Sequence, residues 1–336
     1  MTPFDVFMFP GQGVQSVGMG KDLADDFEAA RLIFAEVDEA LGMKLSSLMW
    51  EGPSEELSFT ENAQPAVMAV SMAVMRALRG QGVCTEGVGC VLGHSLGEYS
   101  ALAAAGSLSI ADTVRLLRLR GQAMQKAVPA GHGAMAALIG FDISSAADVV
   151  SEACCEGEFC QIANDNSHDQ IVVSGTREAV NRAVKIASGM QGKRAVLLKV
   201  SVPSHSDLMR SAAEVMKHAL SGIEVRRPKV AFIPNVLGRP LEPQSDIRDL
   251  LVRQMTSLVR WRESIAYLCD DRCSGSDTHD EVQIENCVKA KRRFFELGSG
   301  KVLTNLVRRM ISGSDVEVFS VGTSQDVRKA AAVLLA

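Results

Sequence analysis

The 336-residue sequence lacks a strong excess of charge of either sign. Its 35 lysines and arginines against 40 aspartates and glutamates give a formal net charge of -5. It also lacks a basic stripe and a platform of alternating aromatic and basic residues, features that are typical of proteins that bind nucleic acid. The mild acidity therefore argues against a nucleic-acid partner and favours chemistry on a small molecule.

Long apolar runs and a secretory leader are missing as well. No stretch reaches the roughly 20 apolar residues that a membrane-spanning helix needs. The N-terminal segment MTPFDVFMFPGQG has neither the basic start nor the long apolar core of a signal peptide. We therefore expect a cytoplasmic protein that does not associate with a membrane. A content of 47% hydrophobic and 22% charged residues is ordinary for a globular domain.

Cysteine is present, but a metal or disulfide framework is not indicated. Eight cysteines in a chain without an export signal are expected to be reduced thiols. The spacing of four soft ligands in one polar stretch matches no common zinc pattern: Cys269, Cys273, His279 and Cys287. We interpret Cys269 as facing the core from a helix and the others as loop residues, and we predict neither metal nor cofactor.

The rhythm of apolar segments predicts the fold. Apolar runs bounded by glycine and proline alternate with helix-period segments, which is typical of a parallel α/β sheet. Between about Gly133 and Val200 the order becomes strand, helix, strand, strand, helix, strand, which indicates a ferredoxin-like unit. We predict an α/β-hydrolase-like domain with a parallel-sheet core, 1–127 and 201–336, and an inserted ferredoxin-like α+β subdomain, 128–200.

Two predictions concern the C-terminal third of the chain. The periodicity after Asp246 predicts one amphipathic helix that runs to about Leu268. The stretch from Asp270 to Asn286 is polar and rich in turn residues, so we expect an exposed loop with no role in the core.

One motif carries a specific chemical signal. Gly93-His94-Ser95-Leu96-Gly97 satisfies the pattern G-x-S-x-G, with an apolar strand before it and a small-residue helix after it. In such an elbow the flanking glycines allow a sharp turn that exposes the serine hydroxyl at a helix N-terminus, where the Leu96 N–H can stabilise an oxyanion. The alternative is a chance glycine-serine turn. By itself the motif indicates a serine enzyme that handles acyl groups.

A serine hydroxyl needs a base within hydrogen-bond reach, and histidine is the usual choice. His205 is the best candidate because it ends the rigid turn Val202–His205 after a predicted strand, although a surface histidine is the alternative. The side chain of His94 is expected to leave the elbow in another direction. We place the other histidines in loops or on a polar helix face: His132, His168, His218 and His279. Since no acidic residue occupies an obvious third position, we expect a backbone carbonyl or an amide to orient the imidazole.

Taken in order, five segments resemble those of malonyl-CoA:acyl-carrier-protein transacylases. They are Phe9–Gly13, Gly93–Tyr99, Arg120–Met124, Pro203–His205 and Glu296–Leu303. The likeness extends from about Phe4 to the C-terminus. The family usually has a short connection before the strand that contains FFELG, whereas the polar stretch from Asp270 to Asn286 intervenes here, which affects the local boundary and a contact surface.

The resemblance implies a role for each matching residue. Ser95 matches the nucleophile and His205 its base, and the backbone N–H groups of Gln12 and Leu96 match the oxyanion hole. The main-chain carbonyl of Gln254 matches the group that orients the histidine.

Two further positions match residues that contact the substrate. Arg120 matches the residue that binds the malonyl carboxylate, a role that suits the two parallel donors of a guanidinium, and Asn164 matches a residue that lines the cleft. The alternative for Arg120 is a solvated arginine in a basic helix, because Arg115 and Arg118 are nearby.

The implied activity is transfer of malonyl from malonyl-CoA to the phosphopantetheine thiol of holo acyl carrier protein in bacterial type II fatty acid synthesis. It would proceed by a ping-pong cycle through a malonyl-serine intermediate, on an enzyme that works as a monomer and contacts its carrier transiently. Three alternatives remain open: a serine hydrolase or thioesterase, a catalytically silent carrier-binding subunit, and a transacylase for methylmalonyl.

Overall fold

The computed structural model describes residues 3–129, 131–200, 202–269, 291–311 and 315–336. Over these residues the chain forms a mixed α/β structure with two sheets. In chain order the strands are β1 (Phe4–Phe9), β2 (Cys90–Gly93), β3 (Gly133–Ile139), β4 (Cys160–Ser167), β5 (Gln170–Thr176), β6 (Arg194–Leu197), β7 (Ala231–Ile233), β8 (Arg292–Leu297) and β9 (Val316–Val321).

The helices lie mostly before β2 and after β6. In chain order they are α1 (Lys21–Asp26), α2 (Glu28–Leu41), α3 (Leu45–Glu51), α4 (Ser54–Ser58), α5 (Thr60–Gly80), α6 (Gly97–Ala104), α7 (Ile110–Ala127), α8 (Ile143–Ala153), α9 (Arg177–Gly189), α10 (Arg210–Ser221), α11 (Ile247–Gln254), α12 (Trp261–Cys269), α13 (Val302–Met310) and α14 (Ser324–Leu335). A short 3-10 helix, Asp207–Met209, precedes α10. None of the described helices is long and apolar enough to cross a bilayer.

The larger sheet is parallel, as predicted. Its five strands have the order β7-β2-β1-β8-β9, and every neighbouring pair is parallel. β1 is buried on both faces, because Phe7 and Phe9 join one apolar cluster while Val6 and Met8 join another. A strand covered on both sides needs a continuous apolar run, which explains the sequence FDVFMF.

The smaller sheet is antiparallel and has the order β4-β5-β3-β6. Helices α8 and α9 cover one of its faces, where Leu138 and Val173 lie in a common apolar cluster. The opposite face carries Met135, Ala137 and Val172, which line the cavity described below. The smaller sheet therefore supplies one wall of that cavity.

The prediction of one helix from Asp246 to about Leu268 is wrong, because the chain is not helical between α11 and α12. In this break the Val259 N–H donates to the Ala163 carbonyl over 2.9 Å, and the Val259 carbonyl accepts from the Asp165 N–H over 3.0 Å. The segment thus runs beside β4 of the smaller sheet. Leu251, Met255 and Val259 are all buried, so a spacing of four residues continues through the break and imitates a helix.

The predicted polar loop from Asp270 to Asn286 lies outside the described residues, as do Cys273, His279 and Cys287. Cys269 ends α12 and is partly buried against an apolar cluster. Within the part of the chain that the structure describes, no group of acidic, histidine and cysteine side chains has the arrangement of a metal site.

Substitution of Gly121 by alanine is expected to destabilise the fold, because α7 crosses close to the first turn of α5. A Cβ at Gly121 would lie 2.5 Å from the Glu61 Cα and 2.7 Å from the Thr60 carbonyl oxygen, so the helices must separate. We expect a loss of roughly 1–3 kcal/mol in the free energy of unfolding. Urea denaturation measures it, with Gly80→Ala as the control, because that glycine at the end of α5 has open space around it. Equal midpoints for the two variants would contradict the packing described here.

Candidate active site

Ser95 occupies a tight bend between β2 and α6. Its φ of 54° lies in the left-handed region, which non-glycine residues rarely adopt. The neighbouring glycines are required by close backbone contacts: a Cβ on Gly93 would lie 1.9 Å from the Gly97 carbonyl oxygen, and one on Gly97 would lie 2.1 Å from that of Phe9. The Asn235 side chain accepts from the Ser95 N–H over 2.8 Å and donates to the Gly93 carbonyl over 2.6 Å. These contacts hold the bend and direct the serine hydroxyl into a cavity.

His205 lies beside the serine hydroxyl. Its Nε2 is 2.7 Å from the Ser95 Oγ, and its Nδ1 is 2.8 Å from the main-chain oxygen of Gln254. A carbonyl oxygen can only accept, so Nδ1 carries the hydrogen and Nε2 is left to accept the serine proton. The Gln161 side chain also donates to the His205 carbonyl over 2.9 Å, which secures the backbone at a φ of 57°.

The environment of His205 keeps its imidazole neutral. The ring is buried, and burial together with the nearby positive charge of Arg120 lowers its pKa from 6.5 to about 3. Burial is the larger cause, since it penalises the charged imidazolium. At neutral pH the side chain is therefore in the form that can accept a proton.

Arg120, near the middle of α7, is 1% exposed, so it is not a solvated surface residue. Its guanidinium donates to the Gln64 Oε1 over 2.8 Å, to the Gln254 Oε1 over 3.0 Å and to the Ser95 Oγ over 3.2 Å. Among the described residues no carboxylate lies within ion-pair distance of it, and its Nε has no hydrogen-bond partner. Burial lowers its pKa. A buried cation held only by neutral groups is suited to bind an anion.

The cavity has a volume of about 220 Å³. Six of the seven residues predicted from the sequence line it: Gln12, Ser95, Leu96, Arg120, Asn164 and His205. The seventh, Gln254, does not line the cavity. Its main-chain carbonyl contacts the His205 ring, and its side-chain amide contacts the Arg120 guanidinium and the Ser95 main-chain carbonyl. Asn164 is 5% exposed, and its Nδ2 has no hydrogen-bond partner among the described residues.

The remaining histidines lie away from the Ser95 hydroxyl. The His94 ring lines the cavity, and its Nε2 is 2.9 Å from the Asn166 Oδ1. The side chains of His132, His168 and His218 are exposed, and His279 lies outside the described residues.

Three buried polar residues of the site were missed in the sequence. Gln64 binds Arg120 from α5, and Asn235 holds the bend from the end of β7. Glu98, in the first turn of α6, is fully buried and accepts from Gln254 and Asn235; burial raises its pKa to about 7. Of these three residues, only Glu98 lies next to a recognisable motif, because it directly follows the elbow Gly93–Gly97. Gln64 and Asn235 are ordinary polar residues within apolar stretches, and no local pattern marks them.

Comparison with known proteins identifies the class of the chain. The model of the acyl transferase domain family matches residues 6–275. Together with the elbow and its histidine, this match defines an acyl transferase domain.

Two similar proteins narrow the class to one family. The malonyl CoA-acyl carrier protein transacylase of Bacillus subtilis (strain 168) is 43% identical over 304 residues, which cover 90% of this chain and 89% of the relative. The crystal structure of an acyl-carrier-protein-S-malonyltransferase from Bartonella henselae has a TM-score of 0.88 and 48% identity, and the match covers 99% of this chain and 100% of that one. The chain belongs to the malonyl CoA-acyl carrier protein transacylase family.

A further solved structure contains a carrier protein. It is a malonyl-transacylase in complex with the holo form of a type II polyketide synthase acyl-carrier protein, with a TM-score of 0.87 and 36% identity over 98% of this chain and 99% of that one.

The low pKa of His205 predicts how stability depends on pH. Its imidazole takes up a proton near pH 6.5 when the chain is unfolded but only near pH 3 when it is folded. The contribution of His205 to the free energy of unfolding therefore falls as the pH decreases from 6.5, whereas Glu98, whose pKa burial raises to about 7, contributes in the opposite direction. His205→Asn, which tolerates the left-handed backbone, should remove the His205 contribution, so the difference in free energy of unfolding between wild type and variant should change with pH. Urea denaturation of both proteins between pH 7.5 and about 5 tests the prediction; parallel stability curves would contradict it.

Proposed function

We propose that this chain transfers a malonyl group from malonyl-CoA to the phosphopantetheine thiol of a holo acyl carrier protein. The observation that carries the proposal is the position of the Ser95 Oγ, 2.7 Å from the His205 Nε2 and 3.2 Å from the Arg120 guanidinium. A nucleophile, a base and a cation for a carboxylate thus meet at one oxygen. Membership of the malonyl CoA-acyl carrier protein transacylase family supports the same activity.

The first half of the cycle acylates the serine. His205 takes the proton from Ser95 as the oxygen attacks the thioester carbon of malonyl-CoA. The backbone N–H groups of Gln12 and Leu96 stabilise the resulting oxyanion, a role supported by their position on the cavity wall. Collapse of the tetrahedral intermediate breaks the carbon–sulfur bond, and the sulfur of CoA leaves with the proton from His205.

The second half transfers the group to the carrier. After CoA has left, the phosphopantetheine thiol enters the same cavity and loses its proton to His205. The thiolate attacks the malonyl ester, the carbon–oxygen bond breaks, and the Ser95 oxygen recovers the proton. Since one cavity serves both thiols in turn, the kinetics are ping-pong.

Arg120 selects the acyl group by its charge. Its guanidinium binds the malonyl carboxylate, whereas an acetyl group leaves the buried cation without an anion. Neutralisation of Arg120 also removes one of the causes that lower the pKa of His205, so the correct substrate makes the base stronger. Asn164 faces the same cavity, where its free amide N–H can donate to the bound acyl group.

The finer description of the fold is part of the proposal. We class 1–127 with 201–336 as one discontinuous α/β-hydrolase-like domain and 128–200 as an inserted ferredoxin-like subdomain. The antiparallel order β4-β5-β3-β6, with α8 and α9 on one face, supports the second label. The monomeric state and the cytoplasmic location stay predictions.

Exposure to malonyl-CoA should leave a covalent adduct on the protein. We expect intact-mass spectrometry to detect one added malonyl group, which the thiol of a holo carrier protein then removes. Ser95→Ala should abolish the adduct, because it removes the hydroxyl that lies 2.7 Å from the His205 Nε2. Release of free malonate in the presence of carrier, at a rate similar to transfer, would instead indicate a thioesterase.

Replacement of Arg120 by alanine should affect malonyl and acetyl differently. Loss of the charged hydrogen bonds is expected to lower kcat/KM for malonyl-CoA by about 100-fold or more, while acetyl transfer is retained or increased. Arg115→Ala, on the exposed side of the same helix, is the control and should change neither rate. An equal loss for both substrates in the Arg120 variant would contradict recognition of the carboxylate.

A further inference from the structure

Glu98 is a buried carboxylate to which the proposed mechanism gives no role. Its side chain is fully buried in the first turn of α6. The Oε2 atom accepts from the Gln254 Nε2 over 2.8 Å and from the Asn235 N–H over 3.0 Å, whereas Oε1 has no hydrogen-bond partner among the described residues. Burial of a carboxyl group costs free energy. The two hydrogen bonds that Glu98 accepts therefore suggest what the group does.

We propose that Glu98 is a positioning residue, which orients the side-chain amide of Gln254 and thereby holds Arg120 ready for the malonyl carboxylate. This inference rests on the proposed malonyl transfer. It assigns to Glu98 no contact with the substrate, because its only described partners are Gln254 and Asn235.

The argument depends on which groups can donate and which can accept. The Gln254 NH₂ group donates to Glu98 and to the Ser95 carbonyl, so its Oε1 must point to the other side, where it accepts from Arg120. A guanidinium has donors only. If the amide were reversed, its NH₂ group would face the guanidinium and the bond to Arg120 would be lost. By accepting from the Gln254 NH₂ group, the carboxyl group of Glu98 therefore keeps the Gln254 Oε1 turned towards Arg120.

The acceptor at position 98 is itself held by the backbone. The Asn235 N–H cannot reorient, and it donates to the same Oε2 that binds Gln254. Protonation of Glu98 at Oε1, the oxygen without a described partner, would leave both bonds to Oε2 in place. The positioning effect is thus expected in both protonation states of the carboxyl, which matters because burial raises its pKa to about 7.

Gln254 also contacts His205, the proposed base. Its main-chain oxygen holds the Nδ1 of His205, and Asn235 in turn holds the Ser95 N–H. A loss of these contacts would slow transfer of every acyl group equally. Only the contact with Arg120 distinguishes malonyl from acetyl, so the ratio of the two rates isolates the role assigned to Glu98.

The test compares Glu98→Gln with Glu98→Leu. The glutamine can place its oxygen against the Asn235 N–H and keep both bonds, so its ratio of malonyl to acetyl kcat/KM should stay within about threefold of the wild type. Leucine removes the acceptor, and the ratio should fall about tenfold or more. Since both rates are measured on one sample, partial unfolding does not affect the ratio. If the leucine variant does not fold, Glu98→Ala replaces it.

A matched control is available in α2. Asp38 is another buried carboxylate, which accepts from the Ser46 N–H and hydroxyl over 2.9 and 2.6 Å, and it does not line the cavity. Asp38→Asn should lower the thermal midpoint without changing the ratio.

The possible outcomes separate the inference from the proposed function. If the ratio of malonyl to acetyl kcat/KM is unchanged in the leucine or alanine variant, the positioning role is overturned. It is also overturned if the ratio falls as far in the glutamine variant as in the leucine variant, because the negative charge of Glu98 would then be what matters. A wild-type protein that transfers no malonyl at all would overturn the proposed function itself.

Discussion

The hydrogen bond from the His205 Nδ1 to the main-chain oxygen of Gln254 is the contact on which the site depends. It assigns the hydrogen to Nδ1 and so leaves Nε2 to accept from Ser95, 2.7 Å away. A carbonyl can replace the acid of a catalytic triad because orientation and tautomer, which it supplies, are what a buried neutral imidazole requires. The end of α11 therefore sets the tautomer of His205, although Gln254 does not line the cavity.

Gln254 also helps to stabilise the buried guanidinium of Arg120. The guanidinium of Arg120 is held by two glutamine oxygens, from Gln64 and Gln254, and by the serine hydroxyl. Neutral acceptors bind its terminal N–H groups without cancelling its charge, so attraction for an incoming carboxylate remains. The buried acid Glu98 forms its hydrogen bond with the amide of Gln254 and none with the guanidinium itself. This separation keeps the positive charge available to a ligand.

The two sheets cooperate in forming the cavity. The segment between α11 and α12 pairs with β4 through Val259, and Arg262 forms a bidentate ion pair with the buried Asp165. These contacts fix β4, whose Asn164 lines the cavity. The smaller sheet therefore supplies a wall of the cavity that is tied to the segment after α11.

The sequence by itself determined what depends on near neighbours: the parallel strands, the glycine-flanked bend at Ser95 and the turn that ends at His205. Its resemblance to a family added Arg120, Gln12 and the other predicted wall residues. Only the tertiary structure decided the break after Gln254 and the roles of Gln64, Asn235 and Glu98. The physical reason is the sequence separation of the residues that interact. A tight turn or an apolar strand requires particular residues at particular spacings, whereas these polar bonds join residues 56 to 156 positions apart and leave no local pattern.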